Sequence, residues 1–309
     1  MRILVWANRV KLKYKIRLDL SLFFGRGYLT WHRRPMRLEG WKELPAVDSL
    51  ADYRDVAIVM QGPLDTRNNF TLETLRLYKH FFPGVKLFLS TWTDSSNRTL
   101  DRISTLGVQI VLSEPMENPP LGNLSRQIET TLKGIRAAEA SDAKFVLKVR
   151  TDQRLYSNLA IDYLRSVIKI FPARCHPGSV KGRIIFSSSN SFIDRVQGAT
   201  DFMQFGHLED VQKFWASSLK RKLPSHLTPE TIITASYLLE LGWQRKDLLT
   251  TESWVRAMKE VFGFVDGSSL DFFWHKYSMR EYLWRRYSGP HLDEVTNAFW
   301  LKILADYPE

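Results

Sequence analysis

The side chains best suited to chemistry crowd into one short segment, Arg150-Thr151-Asp152-Gln153-Arg154, directly after the apolar residues Phe145, Val146, Leu147 and Val149. The apolar run reads as a buried strand, with the polar cluster just past its carboxyl end. In open α/β sheets, ligands bind at that edge. A carboxylate between two arginines suits a phosphate-bearing ligand. Asp152 would hold a divalent cation (Mn or Mg), and Arg150 and Arg154 would neutralise phosphate oxygens. The same residues also suit an arginine–aspartate salt bridge that closes a loop, and the segment alone leaves both readings open.

The elements that must carry this cluster follow from periodicity. Strands are predicted over 56–60, 85–90, 108–112, 144–149 and 183–186. Helices are predicted over 71–82, 98–106, 125–140, 159–170, 209–215 and 229–241. Strands separated by helices imply crossover connections and a mainly parallel, Rossmann-type sheet flanked by helices. Neither a GxxxxGK[ST] segment nor a GxGxxG turn follows the first strand, which argues against a P-loop nucleotidase or an ordinary dinucleotide enzyme. Three regions result: a basic N-terminal segment (1–50), an α/β core (51–200), and an aromatic-rich helical C-terminal region (201–309). Most aromatics of that last region belong in the core, and a minority suit stacking on sugar rings or a lipid interface.

A chain of 309 residues, 44% hydrophobic and 25% charged, can bury a large core. Its single cysteine, Cys175, excludes an internal disulfide and a zinc site built on clustered cysteines, and suits a reducing compartment. No signal-peptide core and no apolar stretch of membrane-spanning length is present. The net charge is +11, and residues 1–40 hold ten basic side chains against Asp19 and Glu39. With Trp6, Tyr14, Phe23, Phe24, Tyr28 and Trp31 interleaved, this segment suits an anionic membrane surface better than nucleic acid, since no RNA-binding aromatic signature or zinc-finger spacing accompanies it. A simple solvated basic face is the plainer reading. Residues 10–22 alternate apolar and polar, which predicts a strand. A cytoplasmic location, peripheral at the inner face of the cytoplasmic membrane, follows from these features.

Several segments together resemble the WavE lipopolysaccharide-synthesis family, whose members are assigned as glycosyltransferases with a GT-A-like nucleotide-sugar fold. They are Val59-Met-Gln-Gly-Pro63, Phe82-Pro83, Leu89-Ser-Thr-Trp92, Asn123-Leu-Ser-Arg-Gln127, Lys148-Val-Arg-Thr-Asp152, Asp201-Phe-Met-Gln-Phe-Gly206 and Pro229-Glu230. The resemblance implies that Gln61, Gly62 and Pro63 face the base and ribose of a nucleotide-sugar. It also implies that Asn123, Arg126 and Gln127, near a helix start, meet its diphosphate or sugar hydroxyls. A helix cap by Asn123 with Arg126 on the surface is the structural alternative. Asp152 would stand for the last acid of the DxD motif of GT-A enzymes. Arg150 occupies the place of the first acid, which puts metal dependence in question and leaves stabilisation of the diphosphate to Asp152 and the arginines.

Sugar transfer with inversion also needs a carboxylate base near the acceptor hydroxyl. Asp201 and Glu230 are the candidates, although Glu230 also suits a helix start, where the dipole stabilises it. Among the scattered histidines, His207 and His291 are the ones to inspect as further metal ligands. The function implied is transfer of a sugar from a nucleotide-sugar to a lipid-linked or glycan acceptor of lipopolysaccharide or capsule type. Two alternatives stand beside it: transfer of a polyol-phosphate unit from a cytidine nucleotide, and a non-catalytic membrane-surface adaptor in envelope assembly.

Overall fold

The computed structural model describes residues 34–40, 52–175, 179–220, 223–224, 226–276 and 293–306. The chain divides into two compact units, 1–35 and 36–309, and the described strands and helices belong to the second. The alternating stretch at 10–22 lies outside the described residues, as does most of the basic N-terminal segment.

Strand β1 (Val56–Gln61) is buried along its whole length, as expected of an apolar run covered on both sheet faces. It pairs in parallel with β2 (Lys86–Trp92) on one side and β4 (Phe145–Arg150) on the other, and β3 (Gln109–Ser113) extends the sheet beyond β2. Between these strands run α1 (Phe70–Phe81), α2 (Asn97–Ser104) and α3 (Asn123–Glu139). Helix α1 buries Leu72, Leu75 and Tyr78 and stops before Pro83-Gly84, where Gly84 takes φ +81°. Helix α3 lies so close to the sheet that a Cβ on Gly134 would stand 2.5 Å from Val59 Cγ1, so only glycine fits there.

The second half of the sheet departs from the predicted pattern. Strand β7 (Gln204–His207) pairs antiparallel with both β4 and β6 (Ile184–Ser187), and β8 (Phe262–Val265) joins β6 in parallel. Among the described residues the sheet is seven-stranded, in the order β3-β2-β1-β4-β7-β6-β8. Helices α4 (Ala160–Ile170), α5 (Leu208–Lys220) and α6 (Pro229–Glu240) match predicted segments. Helices α7 (Thr251–Glu260) and α8 (Asn297–Asp306) come from the aromatic-rich tail.

That tail is not purely helical. It supplies β8, and also β9 (Phe272–Trp274), which pairs antiparallel with β5 (Gln153–Leu155) in a separate two-stranded sheet. Its aromatics do form core where they were expected to. Phe262 and Phe264 pack around Phe186, and Trp254, Tyr237 and Phe214 close around them in edge and tilted contacts. Among the described residues no helix is long and apolar enough to cross a membrane.

Candidate functional site

Because β1 and β4 are parallel, their carboxyl ends share one sheet edge, and the antiparallel β7 begins at that edge. The register pairs Gln61 with Arg150 and Lys148 with Gln204. Residues just past β1, just past β4 and just before β7 therefore meet at one place. After β1 the chain turns at Gly62, with φ +116°, and a Cβ there would lie 3.2 Å from Thr151 Oγ1. The turn is tied down from both sides. Thr151 Oγ1 donates to the Pro63 carbonyl at 2.5 Å, and Thr71 Oγ1 donates to the Thr151 carbonyl at 3.0 Å.

Two adjoining chambers open along this edge. The first, about 620 Å³, is lined by Gln61, Gly62, Pro63, Asn123, Arg126, Gln127, Arg150 and Asp152, so every donor-side candidate but Arg154 meets there. Asp65, Arg67, Trp92, Thr130 and Lys276 complete its wall. The second, about 390 Å³, holds both candidate bases, Asp201 and Glu230, together with Asn190, Trp274 and Glu294. Asn123, Gln127, Arg150 and Lys276 line both chambers. The volumes are of the size usual for small-molecule sites.

Helix α3 positions the donor-side amides. Gln61 is buried and accepts a hydrogen bond from Thr130 Oγ1 at 2.9 Å. Gln127, one turn earlier, has a buried Oε1 with no hydrogen-bond partner, the property of an acceptor that a ligand donor would satisfy. Asn123 is not the helix cap. Gly122 holds that position, and Asn123 Oδ1 accepts from Arg126 Nη1 at 3.1 Å. Arg126 also donates to the Met116 carbonyl, which ties the loop before α3 to the chamber rim.

Arg150 is the electrostatic centre. Its Nε and Nη2 donate to the two oxygens of Asp152 at 3.0 and 3.2 Å, and its Nη1 lies 3.5 Å from Asp201 Oδ2. Asp152 Oδ2 also accepts from Trp274 Nε1 at 3.0 Å. The salt-bridge geometry and the cleft position are thus both present, in one group of residues. A divalent cation at Asp152 would have to displace the Arg150 guanidinium. Both Asp152 oxygens face N–H donors, one of them the guanidinium, and no group of three His, Cys, Asp or Glu able to hold a metal occurs among the described residues.

Two readings of the sequence change here. Arg154 does not reach the cleft. It is buried, donates to Thr74 Oγ1, Tyr156 Oη and the carbonyls of Met36 and Phe70, and lies over the Phe70 ring at 4.3 Å. Strand alternation would have put residues 150, 152 and 154 on one face, but the chain turns at Thr151-Asp152 into β5 and breaks it. His207 pairs with Phe145 at the amino end of β4, the opposite sheet edge, so it cannot join Asp152 on a metal. His291 lies outside the described residues.

The histidine at the cleft is instead His275. Its backbone N–H donates to the Asp152 carbonyl at 2.9 Å, its Nδ1 is 2.8 Å from Asp65 Oδ2, and its ring stacks on Phe70 at 4.4 Å. Burial raises the Asp65 carboxyl, but hydrogen bonds from Arg67 and His275 outweigh that, and the net direction is down.

On the acceptor side, Asp201 sits three residues before β7, with its backbone carbonyl accepting from Lys148 Nζ. Glu230 lies in the first turn of α6, whose N-cap is Thr228. Its Oε1 accepts from Asn190 Nδ2 at 2.9 Å and lies 3.5 Å from Arg195 Nη1. Glu230 is therefore held by a buried arginine and an amide as well as by the helix dipole. Sequence reading did not single out Asn190, Arg195, Glu294, Asp65 or Lys276. Each is brought in by pairing between distant segments, such as the Phe192–Glu294 bridge and the β5–β9 ladder. Trp274 carried a partial signal as one aromatic of the tail.

A family model described as WavE lipopolysaccharide synthesis matches residues 56–238, more than half of the chain. The chain belongs to the WavE family. The match runs from β1 to α6 and so contains every donor-side and base candidate named from the sequence, while the WavE chain here adds Trp274, Lys276 and Glu294 from beyond the matched region. WavE membership places the protein in lipopolysaccharide synthesis. No curated protein matches the sequence.

Beneath the WavE cleft, Lys148 is fully buried in β4 with Nζ 4.6 Å from the Trp215 ring centre. Burial pushes its ammonium from the ordinary 10.5 down to about 7, with Asp201 pulling it up and Arg150 adding to the depression. Between those two values the unfolded chain binds more protons, so this lysine's contribution makes stability rise with pH. Below about 7 its burial cost is fully present, and above about 10.5 it is gone. Lys148→Met is expected to stabilise the fold by about 1–4 kcal/mol near neutrality. That gain should shrink as the pH rises toward about 10. Urea denaturation of both proteins across this range checks it, and a gain independent of pH would contradict the assignment.

Proposed function

We propose that this protein is a glycosyltransferase of GT-A type that moves a sugar from a nucleotide-sugar to a lipopolysaccharide-type acceptor. The observation that carries the reading is the convergence of the donor-side residues in one chamber and the candidate bases in the adjoining one, with Arg150 between them. The open sheet, parallel through β3-β2-β1-β4 and with β7 reversed, supports it by placing a crevice outside the carboxyl ends of the strands.

In this reading the nucleoside lies along Gln61–Pro63 beside Trp92. The diphosphate reaches the junction at Arg150, and the sugar enters the second chamber near Asp201 and Trp274. Departure of the nucleoside diphosphate leaves negative charge at the junction, where Arg150 stabilises it. As Arg150 turns to the phosphates, its 3.5 Å pairing with Asp201 is given up. The Asp201 carboxylate then accepts the proton of the acceptor hydroxyl as that oxygen attacks the anomeric carbon. Glu230 and Glu294 are placed to orient the acceptor. The excess of basic residues in the first forty supports an anionic membrane surface as a further partner, at the inner face of the cytoplasmic membrane, where a lipid-linked acceptor would be reached.

The test is incubation of the full chain with a panel of nucleotide-sugars and a truncated lipopolysaccharide acceptor, with products read by mass spectrometry. One donor should yield an acceptor heavier by a single sugar, and Asp152→Asn should remove that product while the protein stays folded. A mass increase matching a polyol phosphate, or no product with any donor from folded protein, would overturn the reading.

A further inference from the structure

The charged side chains that line both chambers are Arg150 and Lys276. Lys276 stands two residues past β9, in a stretch with an unusually firm anchor. Trp274 pairs with Gln153 and donates to Asp152, and His275 is fixed by the Asp152 carbonyl, by Asp65 and by its stack on Phe70. Arg67 adds a hydrogen bond to the His275 carbonyl at 3.1 Å. Together these contacts set the backbone from which the Lys276 side chain enters the junction. Its Nζ lies 5.9 Å from the Trp274 ring centre, on the wall of the cleft.

At the same junction both Asp152 oxygens accept from N–H donors, so a hard cation there would have to displace the Arg150 guanidinium. We propose that Arg150 and Lys276 together take the place of a divalent cation, holding the donor diphosphate and stabilising it as a leaving group without a resident metal. The proposal rests on the donor-site reading above and adds to it the identity of the charge partners. Arg150 supplies a planar fork that can engage two phosphate oxygens, and Lys276 supplies a point charge beside Trp274.

The experiment is calorimetric titration of the full chain with uridine, cytidine, guanosine and adenosine diphosphates and with the parent nucleosides, in EDTA and then in manganese. One diphosphate is expected to bind in EDTA within about threefold of its affinity in manganese, and at least about tenfold more tightly than its nucleoside. Lys276→Met should remove most of that diphosphate advantage and leave the nucleoside affinity unchanged. Diphosphate binding that appears only with manganese overturns this proposal alone, as does a Lys276→Met variant that weakens nucleoside and diphosphate equally. Failure of every nucleotide to bind in both buffers overturns the donor-site reading and this proposal with it.

Discussion

Asp201→Asn is expected to lower turnover by about 10²–10⁴-fold while leaving nucleotide affinity within about threefold. Deprotonating an acceptor hydroxyl needs a carboxylate within hydrogen-bond reach, and Asp201 stands at the mouth of the second chamber, next to the residue that would hold the leaving group. Asparagine keeps the size and loses the basicity. Glu230→Gln should behave differently, because Glu230 is the charge partner of buried Arg195 and accepts from Asn190. Its replacement is expected to cost about 1–3 kcal/mol of stability and to leave turnover within about tenfold. Steady-state kinetics with paired denaturation curves checks both. If Glu230→Gln abolishes turnover at full stability and Asp201→Asn stays active, the roles are exchanged. If the product retains the donor's anomeric configuration, no base is required and the assignment of Asp201 fails.

Arg154→Ala should act almost entirely on folding, with a loss of about 3–5 kcal/mol. Its guanidinium joins three separate segments: Thr74 and Phe70 of α1, the Met36 carbonyl, and Tyr156 beyond β5. Truncation leaves those buried acceptors unpaired and opens a cavity beside Phe70. Arg154→Lys should recover little, since an ammonium cannot reproduce the planar fork. Nucleotide affinity of whatever fraction remains folded should be unchanged. A variant of normal stability that loses nucleotide binding would instead put Arg154 in the cleft.

These two arginines show what could be read from the sequence and what could not. Both flank Asp152, and composition and spacing treat them alike. The apolar run 145–149 makes the strand visible, so the position of Arg150 and Asp152 at its carboxyl end is legible from local pattern alone. The fate of Arg154 depends on β5 turning away to pair with β9, a contact more than a hundred residues distant in sequence. The parallel half of the sheet was legible because each strand is an apolar run followed by an amphipathic helix. Strand β7, four residues long and interrupted by Gly206, carries no period that separates it from a loop. The same holds for β8 inside an aromatic stretch. Lys276 and Glu294 had no local signal at all, since an isolated charged residue in a tail is ordinarily solvated, and only tertiary pairing delivers them to the cleft.

The central claim, that the edge outside β1 and β4 is a nucleotide-sugar site, is tested most directly by hydrogen exchange with and without the donor that supports transfer. Binding should slow exchange at residues 61–67, at the start of α3 around 123–130, at 150–152 and at Lys276, the segments that wall the first chamber. Protection absent from those segments, or confined to the far side of the molecule around Cys175 and Arg183, would contradict it.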